Sequence, residues 1–392
     1  MKISKSVPFY VQDVTPAFLT KALRESGILD EAEVTNVDAK IVGTGAGFIG
    51  EVALLSLKYD KETTSPKTIA LKIPTQTKNR KIGQALGVYE KEIRVYSELG
   101  PDIPIRIPTH YYSAVSAADD PELTLVILEK FNRLPNWLFA ICIMLMTAFV
   151  GRFKRKYILL IEDIAKYRIG DQINGCSTDD ARHAISSLAT LHAHYWESAK
   201  LRETAWIVPF SMTARFTHMM YLSAYKKFKE QNKDWLDVRQ NDMLDWLSNN
   251  ALLLMKKISK VPLTLNHGDF RLDNLCFDDE HGEVIVFDWQ TPVRGPGTFD
   301  LAYFLSNSCK VSEAPALIKY YQDQMASRGI DIDTEELKWQ FDASMMLMLH
   351  RVAPFFYQDM LDFGDERGAI LMTNWVKAIY SQLDDVDYKN LV

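Results

Sequence analysis

The sequence of 392 residues carries a formal net charge of −6, and 47% of its residues are hydrophobic. This length and composition indicate a globular protein with a large apolar core in two lobes or domains, and the acidic balance excludes the broad basic surface of nucleic-acid-binding proteins. The four cysteines, Cys142, Cys176, Cys276 and Cys309, form no C-x-x-C pair, which argues against a zinc site or a disulfide framework and predicts a reducing, cytoplasmic environment.

The N-terminal part of the chain predicts one helix and then an antiparallel sheet. The first residues, MKISKSVPFYVQDVT, lack the apolar core and cleavage site of a secretory signal, so we expect no processing there. Residues 15–29 place apolar side chains on one helical face, with Thr15 as a candidate N-cap. Three β-like runs, at 37–45, 51–59 and 67–73, then predict a meander.

A glycine-rich segment, GTGAGFIGE, connects the first two of these strands. Gly43, Gly45, Gly47 and Gly50 could let backbone amides approach an anionic group, because no Cβ interferes. A glycine-rich hairpin without a ligand explains the same pattern. A dinucleotide-binding helix is disfavoured, since a strand follows the glycines.

Lys72 lies in the third predicted strand, and the segment VYEKEIRVYSEL, about twenty residues later, predicts a helix. Glu92 on that helix could neutralise Lys72, and such an ion pair is a device for holding nucleotide phosphates. Glu90 is a second candidate partner. A strand lysine that extends into water is the alternative interpretation.

The sequence then changes from a β-rich to a helical pattern. A predicted strand at 109–115 precedes two apolar runs, at 123–129 and 156–164. Beyond them, Ser177 or Thr178 is a candidate N-cap of a helix. That helix is predicted to bury four apolar side chains, Ile185, Leu188, Leu191 and Trp196.

The run from Trp137 to Val150 contains only one polar residue, Thr147, and basic residues follow it. As a helix it would span roughly 21 Å, which is shorter than the hydrocarbon core of a bilayer. Three interpretations remain: a fully buried helix, a lid over an apolar acceptor pocket, or an interfacial membrane anchor. The absence of an amphipathic face argues against the anchor.

The stretch LNHGDFRLDNLCF is followed by VIVFDWQ, which places polar side chains just beyond predicted strands. A hairpin turn joins the strands after Asn274 and before Asp288, so these two side chains should lie close together. An amide oxygen and a carboxylate are ligands that Mg²⁺ accepts alongside phosphate oxygens. Asp269, five residues before Asn274, could accept the proton of an attacking hydroxyl.

The motif H-G-D-x-x-x-x-N resembles the catalytic loop of the aminoglycoside phosphotransferase and choline kinase-like superfamily. The strings HGDFRLDN, VIVFDWQ, GPGTFDLAYFL, ILLIEDI and LATLHAHYW resemble its ecdysteroid kinase-like (CHK kinase-like) branch over roughly residues 40–330. The resemblance implies an α+β, protein-kinase-like bilobal fold, with a small antiparallel β-rich N-lobe and a larger, mostly helical C-lobe. The predicted domains are 1–163, nucleotide-binding with a hydrophobic insertion at about 131–152, and 164–392, with the catalytic loop, metal site and acceptor pocket.

The resemblance also implies a role for each matching residue. Asp269 would be the catalytic base, and Asn274 and Asp288 the Mg²⁺ ligands. Lys72 would bind ATP phosphates with Glu92 as its partner. His267 and Asp300 would support the catalytic loop. The nucleotide would contact the glycine loop, through Gly45, Gly47 and Gly50, and the inter-lobe hinge, through Glu162, Asp163 and Ile164.

The size of the acceptor can be inferred from the short segment that follows the predicted metal ligand Asp288. Only eleven residues separate Asp288 from Asp300, which leaves no room for the long activation segment on which protein kinases bind peptides. The predicted acceptor is a small alcohol, and Trp196, Trp289, Tyr303 and the apolar run favour a lipophilic, steroid-like one. For the function of the whole chain, the alternatives to a phosphotransferase are a nucleotide-binding pseudokinase and a metal-dependent hydrolase.

Overall fold

The structure is a computed structural model that describes residues 1–42, 49–77, 79–150, 154–352 and 366–392, with the backbone alone described at 146–150 and 366–369. Gly43, Gly45 and Gly47 of the predicted phosphate loop lie outside the described residues. The chain divides into two compact units. The described parts of 1–120 and 142–167 form the first unit, and those of 121–141, 168–352 and 366–392 form the second.

The first unit begins with the predicted helix, α1 (Pro16–Glu25), whose N-cap is Thr15. The threonine Oγ1 accepts a hydrogen bond from the backbone N–H of Phe18 at 3.2 Å, which satisfies one donor that the first helical turn leaves unpaired. The elements that follow are β1 (Val34–Val42), β2 (Gly50–Tyr59), β3 (Thr68–Pro74), α2 (Asn79–Ala85), α3 (Val88–Arg94) and β4 (His110–Val115).

Two helices follow β4, α4 (Pro121–Asn132) and α5 (Asn136–Val150), and β5 (Tyr157–Glu162) then returns to the sheet. The sheet has five strands in the order β1-β2-β3-β5-β4, and every neighbouring pair is antiparallel. Its apolar side chains pack with α1 in one hydrophobic core. The predicted antiparallel meander of the first three strands is therefore confirmed.

The second unit is mainly helical. It contains α4 and the first residues of α5, and its further elements before the motif are β6 (Arg168–Ile169), α6 (Thr178–His194), α7 (Ala199–Glu203), α8 (Phe210–Gln231) and α9 (Val238–Ile258). Ser177, one of the two predicted candidates, is the N-cap of α6, and its hydroxyl accepts a hydrogen bond from the Asp180 N–H at 3.1 Å. Trp196 lies just beyond the end of this helix and is half-buried.

Short strands carry the motif between these helices and the C-terminal ones. They are β7 (Thr264–Asn266), β8 (Leu275–Asp278), β9 (Glu283–Val286) and β10 (Val293–Gly295), and α10 (Thr298–Asn307), α11 (Ala314–Ala326), α12 (Thr334–Val352) and α13 (Glu366–Leu383) follow. β8 pairs antiparallel with β9, as predicted, and with β6, while β7 pairs with β10. The methionines of α12, Met345, Met346 and Met348, are fully buried.

Candidate active site

Lys72 and Glu92 form a largely buried ion pair in the first unit. Lys72 lies on β3 with β2 on one side and β5 on the other, and its Nζ lies 2.7 Å from Glu92 Oε1 on α3. Such a pair is costly to break, because either charge alone would remain buried. The second candidate, Glu90, lies 3.1 Å from Arg155 Nη1 instead, and burial raises its pKa. Glu92 is therefore the partner of Lys72.

The last residue of β5 and the segment after it contain the predicted hinge residues. Arg106 Nη2 donates to both carboxylate oxygens of Glu162, at 2.8 and 2.6 Å, and Thr109 donates from its N–H and its hydroxyl. Burial opposes ionisation of Glu162, but these donors hold its pKa below the ordinary value. Asp163 accepts from the N–H of Ala165 at 3.0 Å, and the carbonyl of Ile164 accepts from Tyr167. Their contact with a nucleotide stays a prediction, as does that of Gly50, the first residue of β2.

The loop after β7 is held in place by a buried carboxylate. Asp300, in the first turn of α10, is fully buried. It accepts hydrogen bonds from the backbone N–H groups of His267 at 2.6 Å and of Gly268 at 2.9 Å. Hydrogen bonds to an ionised acceptor are the stronger kind. Asp300 therefore braces the loop on which Asp269 lies.

His267 connects this loop to the strand that precedes Asp288. Its Nδ1 accepts from the N–H of Asp269 at 3.2 Å, and its Nε2 lies 3.0 Å from the carbonyl oxygen of Phe287. A carbonyl can only accept, so the proton lies on Nε2. The ring packs 4.6 Å from that of Trp289. Trp289 is fully buried and its indole N–H donates to the carbonyl oxygen of Val286, so its ring is explained by core packing and is no evidence for a lipophilic acceptor.

Asp269 and Asn274 are in direct contact. The Asn274 side-chain Nδ2 donates to the backbone oxygen of Asp269 at 2.8 Å and to its Oδ2 at 2.9 Å. The opposite side of the amide, with Oδ1, then points away from Asp269. The N–H of Phe287 donates to the carbonyl of Asn274 at 3.1 Å, so Asp288 follows directly after a residue paired with Asn274. Asp288 adopts a φ of 64°, a left-handed conformation in which aspartate is enriched.

Positive charge surrounds the carboxylate of Asp269. Arg271 Nε lies 3.4 Å from Asp269 Oδ1. Burial opposes ionisation, but Arg271, a hydrogen bond from Tyr303 and the charge of Arg351 hold the pKa of Asp269 below its ordinary value. Asp269 in turn raises the pKa of Arg271, against the effect of burial. Sequence reasoning missed Arg271 and Arg351, although Arg271 stands within the quoted motif.

Comparison with known proteins identifies the family of this chain. The model of the ecdysteroid kinase-like family matches residues 44–331. The chain belongs to this family. Among solved structures, a choline kinase from Cryptosporidium parvum Iowa II is similar, with 13% identity, 94% of this chain and 95% of that chain covered, and a TM-score of 0.51. The predicted family, the protein-kinase-like α+β fold and the kinase-type phosphotransferase class are thereby confirmed.

Two further similarities are more limited. An ethanolamine kinase from Plasmodium vivax has 11% identity, with 91% of this chain and 85% of that chain covered, at a TM-score of 0.48. The acyl-CoA dehydrogenase family member 10 of Mus musculus is 42% identical over 65 residues. That match covers 16% of this chain and 6% of the mouse protein.

The oxygen atoms at the predicted metal site of this ecdysteroid kinase-like chain suit a divalent cation that a bound nucleotide also helps to hold. Among the described residues, no group of three or more His, Cys, Asp and Glu side chains is arranged as a complete metal site. The predicted set is different: one amide oxygen, of Asn274, and one carboxylate, of Asp288. Mg²⁺ is commonly held by one or two protein oxygens together with phosphate oxygens and water, so this pair fits Mg²⁺ bound with a nucleotide.

The apolar insertion forms the helix α5, but this helix is not fully buried. Trp137, Met144 and Leu145 are 67%, 63% and 60% exposed, whereas Phe139 is 3% exposed. Phe139 packs on the guanidinium of Arg215 in α8. The interpretation as a fully buried helix is wrong, because one side of α5 lacks a covering element in the described part of the chain. No helix there is long and apolar enough to cross a membrane.

Proposed function

We propose that the chain transfers the γ-phosphate of ATP to a hydroxyl of a small lipophilic alcohol, with Asp269 as the catalytic base. The observation that carries this proposal is the contact between Asp269 and Asn274, because one hydrogen-bonded loop then presents a proton acceptor beside a metal-ligand oxygen. In phosphoryl transfer the protein mainly positions the reactants and stabilises charge. A braced loop serves that purpose.

Asp269 receives the acceptor proton. Its lowered pKa keeps the carboxylate ionised at neutral pH, so it can orient the acceptor hydroxyl and take its proton as the oxygen attacks phosphorus. General-base assistance of this kind is worth about 10²- to 10⁴-fold in rate. Arg271 and Tyr303 hold the carboxylate in place, and Arg271 adds positive charge where negative phosphate oxygens are expected.

Lys72 binds the phosphates of ATP, and Glu92 fixes the lysine ammonium through its 2.7 Å contact. Asn274 and Asp288 would hold Mg²⁺ through Oδ1 and the carboxylate. When bound, the ion neutralises charge on the phosphate oxygens. The family membership of the chain supports both assignments.

The acceptor is a small, lipophilic, steroid-like alcohol. The segment between Asp288 and Asp300 contains only β10, which pairs with β7, and the start of α10, so it forms no peptide platform. Tyr303, which hydrogen-bonds to Asp269, provides an aromatic ring beside the base. The exposed apolar side chains of α4 and α5, such as Val126, Ile127 and Trp137, suit an apolar ligand better than a polycationic one.

The test is transfer of label from γ-labelled ATP to a panel of alcohols, with and without Mg²⁺. The panel holds sterols, simple aliphatic alcohols, choline and an aminoglycoside, and thermal unfolding is followed with millimolar ATP in parallel. We expect Mg²⁺-dependent labelling of the sterols and a raised Tm with ATP, because a ligand that binds only the folded state stabilises it. Label in inorganic phosphate alone would indicate a hydrolase. A raised Tm without any transfer would indicate a pseudokinase, and no shift at all would eliminate nucleotide binding.

A further inference from the structure

Two cysteines that are 133 residues apart in the sequence meet in the second unit. Cys176 Sγ and Cys309 Sγ lie 4.0 Å apart. Cys176 directly precedes the N-cap of α6, and Cys309 follows the end of α10. All four cysteines are free thiols in this structure. A disulfide has its sulfur atoms about 2.05 Å apart, so the two thiols need to approach each other by about 2 Å to bond.

The backbone holds the two cysteines together while their thiols remain reachable. The N–H of Cys176 donates to the carbonyl of Ser308 at 3.3 Å, and the Cys176 thiol also contacts that carbonyl, at 3.5 Å. Both cysteines are half-buried, whereas Cys276 is fully buried. The pair is therefore fixed in the fold but not sealed from a small oxidant.

The cysteine pair adjoins the loop that carries Asp269. Ser308, which precedes Cys309 and whose carbonyl contacts Cys176, accepts a hydrogen bond at its hydroxyl from the N–H of Leu272 at 3.2 Å. Leu272 lies between Asp269 and Asn274 in the sequence. Gly170, which precedes the Cys176 segment, donates its N–H to the carbonyl of Leu275 at 2.9 Å. A movement of Ser308 would therefore reach the loop through one hydrogen bond.

We propose that Cys176 and Cys309 are a modification site that closes to a reversible disulfide and thereby shifts the loop between Asp269 and Asn274. The oxidant is a low-molecular-weight disulfide such as oxidised glutathione. The Cys176 thiolate attacks one glutathione sulfur, forms a mixed disulfide and releases one glutathione. Cys309 then attacks the Cys176 sulfur and releases the second. Two protein thiols are oxidised, and one glutathione disulfide is reduced to two thiols that take up the two protons.

The order of the two steps follows from the environment of Cys309. A hydrogen bond that the Cys309 thiol donates to the Cys176 sulfur raises the pKa of Cys309, and so does burial. A thiol with a raised pKa is a poorer nucleophile at neutral pH, because the thiolate is the attacking form. Cys309 is therefore the resolving cysteine, which attacks only when the mixed disulfide has formed within its reach.

The test is mass spectrometry of the whole chain after treatment with oxidised glutathione and alkylation of the remaining thiols. We expect two of the four thiols to become unreactive, a Cys176–Cys309 cross-linked peptide, and full reversal by a reductant. Cys309→Ser should stop at the glutathione adduct on Cys176, and Cys176→Ser should give no cross-link. Cys142→Ser, at another half-buried free thiol, is the matched control and should form the same cross-link as the protein without substitutions.

Hydrogen exchange of the peptide that contains Leu272 tests the effect on the loop without any assay of activity. We expect a changed exchange rate at this amide in the oxidised protein and no change in oxidised Cys309→Ser. If the protein without substitutions carried a glutathione adduct but no cross-link, the proposed disulfide would be refuted. A cross-link with unchanged exchange at Leu272 would overturn its action on the loop.

Discussion

Gly268 is the residue on which the shape of the candidate catalytic loop depends most closely. It has a φ of +79°, and a Cβ built on it would overlap the carbonyl oxygen of Thr291. Its N–H is also one of the two donors to Asp300. Glycine is therefore required here both by the backbone conformation and by the close approach of another segment.

Replacing Gly268 with alanine should destabilise the protein clearly more than the same change at Gly282. Gly282 has a similar φ of +67° with nothing near its Cβ position, so Gly282→Ala costs about 1 to 2 kcal/mol for the left-handed conformation alone. Gly268→Ala adds the overlap with Thr291, about 1 to 3 kcal/mol more. Urea unfolding of the two variants measures the difference. Equal losses would show that the loop accommodates a side chain.

For single residues, the sequence predicted correctly which side chains lie together where they stand in one short segment. Asp269, Asn274 and His267 stand within eight residues, and the structure brings them into contact. It failed where tertiary packing decides. Trp289 is adjacent to Asp288 in the sequence but lies in the core, and no local pattern brings Cys176 to Cys309.

At the scale of helices, α8 and α12 meet at a buried pair of histidines. His218 Nδ1 lies 3.1 Å from His350 Nε2, and the ring of Tyr221 stacks on His350 at 4.5 Å. Burial and the neighbouring His218 lower the pKa of His350 from 6.5 to about 3. Both imidazoles are therefore packed as neutral groups, and the N–H of one ring donates a hydrogen bond to the unprotonated nitrogen of the other.

This pair should make the protein less stable in mild acid. The unfolded state takes up a proton on His350 near pH 6.5, whereas the folded state does so only near pH 3. The contribution of neutral His350 to the free energy of unfolding is therefore present above about pH 6.5 and is lost as the pH drops towards 3. The loss between pH 7 and pH 5 is about 2 kcal/mol. Urea unfolding at both pH values measures this loss. His350→Gln should reduce it, and His183→Gln, at an exposed histidine, should not. An equal loss in all three proteins would refute the assignment.

The helices and strands also show how far local pattern determines an element. The Thr15 cap and the three β-like runs predicted α1 and the meander correctly, because each signal lies within the element itself. The run from Trp137 to Val150 predicted a helix as well, and α5 is one. Of the three interpretations of this run, the fully buried helix was wrong, because the side chains that would cover a helix come from elsewhere in the chain.

At the scale of the whole molecule, each unit contains one part of the proposed machinery. The first unit has the Lys72–Glu92 ion pair on a five-stranded sheet, and the second has Asp269, Asn274 and Asp288 on short strands between helices. The family match extends over both. The same division explains the composition, since each unit needs its own apolar core.

The most direct test of the account is turnover of Asp269→Asn, measured with the alcohol that the panel identifies as acceptor. Asparagine keeps the shape of the side chain but cannot take the acceptor proton, so we predict a rate about 10²- to 10⁴-fold lower with ATP binding nearly unchanged. Asp234→Asn, at an exposed aspartate, is the matched control and should keep full turnover. Turnover of Asp269→Asn equal to that of the control would contradict the assignment of Asp269 as the base.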